Sequence, residues 1–131
     1  MTLILNIETA TPVCSIGISS GKEMVSIREG NEANMHASSV AVFIEEVMAE
    51  AGLSRTDLDA VAVSKGPGSY TGLRIGVSSA KGLCYALNIP LIAVNTLEAL
   101  AARAAARIQQ EDGKRPWVLV PMIDARRMEV Y

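Results

Sequence analysis

Apolar and polar residues alternate from Leu3 to Glu8 and again from Val13 to Ser19, the pattern of half-buried strands. Thr9 to Pro12 joins these runs, and Ser20-Gly21-Lys22 leads to a third at Glu23 to Arg28. Both connections are of hairpin length, so the pattern predicts a three-stranded antiparallel meander. The period then changes. From about His36 to Ala51, Val40, Phe43, Ile44, Val47 and Met48 recur at helical spacing, with Gly52 as the stop signal. Ser54 and Asp57 form a capping-box pattern for one short turn before an apolar strand at Ala60 to Val63.

Beyond that strand, helical and extended patterns take turns. Leu73 to Leu87 reads as a helix, Pro90 to Val94 as a strand, and Asn95 to Gln110 as a third helix, capped by Asn95 with Glu98 three residues on. On this last helix Leu97, Leu100, Ala101, Ala104, Ala105 and Ile108 make a narrow apolar face, while Arg103 and Arg107 point elsewhere. Three antiparallel strands followed by helix, strand, helix, strand, helix is the order of a ribonuclease-H-like lobe. The predicted fold class is therefore α/β, a mixed sheet flanked by helices, the lobe from which the actin, Hsp70 and sugar-kinase superfamily is built. Residues 1–112 would form it. Trp117 to Ile123 reads as a further buried strand and Arg127 to Tyr131 as the start of another. Lone strands are not stable elements, so residues 113–131 are expected to open a second, truncated lobe, with completion of the strand by another subunit as the alternative.

Composition narrows the class. A chain of 131 residues buries roughly two thirds of its unfolded surface. Half of the residues are hydrophobic but only 4% are aromatic, so the core must be aliphatic, which suits α/β packing. With a net charge of −2 and basic residues scattered apart from Arg126 and Arg127, no nucleic-acid-binding face is visible. Cys14 and Cys84 form no CxxC pair, no leader-like segment precedes the first strand, and no apolar run reaches the roughly 18 residues of a membrane span. The chain is read as soluble and cytoplasmic with ordinary thiols.

The stretch with most to say is Ser64 to Gly76, SKGPGSYTGLRIG, with four glycines and a proline between a strand signal and a helix signal. A strand-to-helix turn presents free backbone N–H groups, which makes it a candidate anion cradle. The named motifs do not fit. Gly66 is followed five residues later by Thr71 rather than by Gly-Lys-Ser/Thr, and Gly68 to Gly72 is one residue too long for a dinucleotide fingerprint. The other reading is a tight turn before a helix that packs very closely. Gly72, Gly76 and Ala80 recur every four residues although each helical glycine costs about 1 kcal/mol relative to alanine. Either that stripe presses on the sheet or another subunit's helix presses on it, with Ile75, Ser79 and Leu83 as an adjoining apolar stripe.

Other chemistry is thin. Glu8, Thr9 and Thr11 lie on the first hairpin, where proteins of this superfamily hold nucleotide phosphates; Glu8 would order a hydrated magnesium, and the two hydroxyls would donate to phosphate or stabilise the turn. His36 is the only histidine, so no histidine pair exists to bind zinc or iron, and a Ser-His-acid triad would depend on it alone. A two-metal nuclease needs several converging carboxylates, and only Glu8 and Asp124 lie near strand ends.

Ile7-Glu8-Thr9-Ala10-Thr11, the run from Gly66 to Gly76, and Asp124-Ala125-Arg126-Arg127-Met128-Glu129-Val130-Tyr131 together resemble the TsaB family, also called YeaZ. The resemblance covers the whole chain and implies a second lobe starting near Trp117. It implies an accessory role, without catalysis, in making the threonylcarbamoyl group on adenosine 37 of tRNA, tRNA being met only indirectly. The catalytic paralogue TsaD would be the partner in a heterodimer, with TsaE, an ATPase, joining at that pair and a homodimer forming when TsaD is absent. TsaD holds its metal with a His-x-x-x-His pair, and the matching positions here are Thr96 and Leu100. No metal and no resident cofactor are therefore expected, ATP or ADP being placed at the partner junction. Helices beginning near Met35 and at Thr71 would pair with the partner's, which puts Met35, Gly72, Ile75, Gly76, Ser79 and Leu83 at the contact. Two other classes stay open: an ATPase or sugar-kinase-like enzyme of the same superfamily, and a glycoprotease-like peptidase, against which the missing metal ligands argue.

Overall fold

The computed structural model describes residues 1–31, 37–111 and 116–131. Three strands open the chain: β1 (Leu3–Glu8), β2 (Val13–Ser20) and β3 (Glu23–Asn31). They form the expected antiparallel meander, Ile7 opposite Ile16 and Ile16 opposite Arg28. Helix α1 (Ala37–Ala51) follows, then a 3-10 turn at Arg55–Asp57, then β4 (Ala60–Gly66), α2 (Tyr70–Leu87), β5 (Leu91–Asn95) and α3 (Thr96–Glu111). The sheet order is β3-β2-β1-β4-β5, with β4 parallel to both β1 and β5. Sequence pattern orders the meander correctly, but the insertion of β4 beside β1 is a tertiary choice. It brings the carboxyl ends of β1, β4 and β5 to one edge of the sheet.

The core lies where α1 and α2 cover the sheet. Leu5, Ile7, Ile16, Ile18, Val61 and Val63 meet Val40, Ile44, Val47, Ala80 and Cys84 in one cluster. Each residue of α1 read at helical spacing faces inward, with Val40 and Val47 fully buried and Phe43 packed at the margin. Burial in this apolar layer pushes the Cys84 thiol up from its ordinary value, against a smaller opposing pull from a backbone hydrogen bond with Val61. Helix α3 touches β4 and β5 but adds nothing to this cluster, which places it on the other face. Its half-buried positions are Leu97, Ala101, Ala104, Ala105 and Ile108, as the pattern predicts, but Leu100 is exposed.

Three expectations are corrected. Residues 117–123 form no strand: Trp117, Val118, Val120 and Met122 are all exposed, since hydrophobicity alone supplies no neighbour for backbone pairing. Strand structure resumes only in a short hairpin, β6 (Asp124–Arg126) and β7 (Glu129–Val130), so the expected run from Arg127 shrinks to two residues. Helix α2 begins at Tyr70 rather than Leu73, because Ser69 caps it by accepting from the Gly72 N–H at 3.2 Å. His36, the expected start of α1, and Met35 lie outside the described residues. No helix among the described residues is long and apolar enough to cross a membrane.

Candidate functional site

The β1–β2 hairpin and the start of α2 come together at the carboxyl edge of the sheet. The Ser69 N–H donates to the Ala10 carbonyl at 2.7 Å, tying the cap of α2 to the turn. Thr9 is fully buried, and its hydroxyl donates to the Gly72 carbonyl at 2.7 Å. A Cβ on Gly72 would fall far inside 3.0 Å of the Thr9 carbonyl oxygen, and one on Gly76 equally close to the Thr9 Oγ1. No side chain larger than hydrogen fits at either position. The glycines therefore exist to let α2 close onto the hairpin.

This geometry answers the two questions left open by the sequence. The small-residue stripe Gly72, Gly76, Ala80 and Cys84 is the buried face of α2 and presses on its own sheet and hairpin. Gly72 and Gly76 are not surface positions, which corrects their placement at a contact with another helix. Ile75 and Leu83 are half-buried and pack against the core, and Ser79 is half-buried beside them. On the hairpin, Glu8 and Thr9 have partners within the chain. Glu8 uses one carboxylate oxygen to accept from the Ala10 N–H at 2.7 Å and the other to accept from the Ser64 hydroxyl. Thr9 is bonded and sealed from solvent, which corrects its reading as a phosphate donor, while Glu8 and Thr11 are half-exposed. Among the described residues no three His, Cys, Asp or Glu side chains converge on a metal position. Thr96, buried at 6% exposure, begins α3, and Leu100 faces solvent.

Sequence reasoning missed the opposite face of α2. Tyr70, Arg74, Ser78, Lys81 and Tyr85 are exposed, Tyr70 at 76% and Tyr85 at 91%. The Arg74 guanidinium stands over the Tyr70 ring, 5.4 Å from its centroid. Leu73, Val77 and Tyr131 join Tyr70, Arg74 and Ser78 around a shallow, mainly apolar groove of about 390 Å³. The signal was legible: Tyr70, Arg74 and Ser78 repeat every four residues, one face of a helix. Two exposed tyrosines and a stacked arginine are the residue types enriched where proteins bind each other.

Residues 30–131 match the family described as TsaD, tRNA N6-adenosine threonylcarbamoyltransferase. The tRNA threonylcarbamoyladenosine biosynthesis protein TsaB of Haemophilus influenzae is 34% identical over 98% of this chain and 51% of its own length. The Escherichia coli TsaB is 34% identical, again over 98% of this chain, and 52% of its own length is covered. The solved structure of YeaZ from Pseudomonas aeruginosa superimposes with a TM-score of 0.81 at 31% identity, covering 99% of this chain and 58% of that one. RuvC of Thermus thermophilus, at 12% identity and a TM-score of 0.55, shares the fold alone. The chain thus spans about half the length of the curated relatives it matches.

Proposed function

Because the chain belongs to the TsaB (YeaZ) family, we propose that the protein is an accessory subunit of tRNA threonylcarbamoylation, one that performs no chemistry itself but binds and activates TsaD. The observation that carries this reading is the outer face of α2, where Tyr70, Arg74 and Tyr85 stand in solvent with no role in the chain's own core. Helix pairing would use this face, with Ile75, Ser79 and Leu83 at its margin. The same face would serve a homodimer when TsaD is absent. TsaE would join at the TsaD junction, and any ATP or ADP would sit there rather than on the hairpin, whose Glu8 and Thr9 are engaged within the chain. tRNA would be contacted through the assembly, in keeping with a net charge of −2.

The test is threonylcarbamoylation of tRNA by TsaD and TsaE, supplied with the activated threonine donor and ATP, with and without the full-length form of this protein. Product that depends on its presence is the expected result. Equal product in both mixtures overturns the reading and returns ATP-dependent chemistry of its own to the front.

A further inference from the structure

We propose that Thr9 is a positioning residue: its buried hydroxyl sets the pose of α2 and thereby the alignment of the outer face through which the protein engages its partner. The inference rests on the accessory reading and adds to it a residue that touches no partner. Small residues on the inner face of α2 allow close approach but supply no side chain to fix rotation or slide. Thr9 is the peg in that groove. It lies against both Gly72 and Gly76, and its Oγ1 donates to the Gly72 carbonyl at 2.7 Å. The other directional tie at this end, from the Ser69 N–H to the Ala10 carbonyl at 2.7 Å, holds the cap but precedes the first helical turn.

The outer face is mechanically linked to that peg. Tyr70 and Arg74 flank Gly72 in sequence, and Arg74 and Ser78 flank Gly76, so any rotation about the peg moves them directly. Along its 18 residues α2 extends about 27 Å, and a tilt of about 5° at the first turn displaces the far end, with Tyr85, by roughly 2 Å. Misplacement on that scale disturbs a packed interface, where close complementarity sets affinity.

The experiment titrates TsaD and TsaE with full-length protein carrying Thr9, Thr9→Val or Thr9→Ser, and reads both the saturating rate of tRNA modification and the concentration for half saturation. Thr9→Val keeps the shape and deletes the donor; Thr9→Ser keeps the donor. Ile18→Val, a core change on β2 away from α2, serves as the control for lost stability. The expected result is at least a tenfold rise in half-saturating concentration for Thr9→Val at an unchanged saturating rate, near-normal values for Thr9→Ser, and no shift for Ile18→Val. A Thr9→Val protein that titrates like the parent, or a Thr9→Ser protein as impaired as Thr9→Val, overturns the proposal. Should Thr9→Val fail to fold, a shift in half saturation for Thr9→Ala with Thr9→Ser unaffected supports it, and no shift overturns it. A flat curve for the parent protein instead removes the accessory reading, and this inference with it.

Discussion

Replacing Gly72 with alanine adds one methyl group where the structure leaves none. The new Cβ would fall far inside 3.0 Å of the Thr9 carbonyl oxygen and 3.3 Å from its carbonyl carbon. The obstacle is backbone, so no rotamer change relieves it, and either α2 or the hairpin must move. Overpacking of this kind costs about 1–3 kcal/mol. Movement also strains the bond from Thr9 to the Gly72 carbonyl, which adds about 1 kcal/mol. Alanine's better helix propensity pushes back by about 1 kcal/mol, leaving a net loss of about 1–3 kcal/mol. Gly82 on the same helix is the matched control: it is exposed, and a Cβ there meets nothing within 4 Å. Propensity alone acts at Gly82, so Gly82→Ala should stabilise by up to about 1 kcal/mol. Thermal unfolding reads both, at roughly 4 °C per kcal/mol for a chain of 131 residues. The expected outcome is a fall of about 4–12 °C for Gly72→Ala and a rise of up to about 4 °C for Gly82→Ala. If Gly72→Ala rises as Gly82→Ala does, the close approach of α2 to the hairpin is refuted.

Two further outcomes follow from caps. Asn95 accepts through Oδ1 from the N–H groups of Leu97 at 2.9 Å and Glu98 at 3.2 Å, so Asn95→Ala should cost about 1 kcal/mol, seen as an earlier urea midpoint, while Asn95→Ser recovers most of it. The backbone N–H of Ser54, and then its hydroxyl, hold the Asp57 carboxyl below the ordinary aspartate range. A depressed carboxylate favours folding above its unfolded value and loses that contribution as pH falls through its folded value. An NMR titration should therefore place Asp57 below a typical aspartate and show it moving upward in Ser54→Ala; an unchanged midpoint in that variant contradicts the assignment.

Local sequence settled the first three strands and the inner face of α1. Period-2 runs read at Leu3 to Glu8 and Val13 to Ser19 and the helical spacing of Val40, Ile44 and Val47 hold because each obeys an alternation that backbone geometry imposes on neighbours a few residues apart. The family resemblance in the Gly66–Gly76 run was equally legible. Which way the glycine stripe faces was not legible. Gly72 and Gly76 permit close approach on whichever side a neighbour arrives, and the neighbour, Thr9, is 63 residues from Gly72 in the chain. Only the pairing of β4 beside β1 brings the two together. That same pairing gives Glu8 the Ser64 hydroxyl and Thr9 the Gly72 carbonyl as partners. By turning the small residues inward it left Tyr70, Arg74 and Tyr85 outside. Periodicity is a local property of the chain and survives in the sequence; the identity of a packing partner depends on contacts between distant segments, and only the folded arrangement decides it.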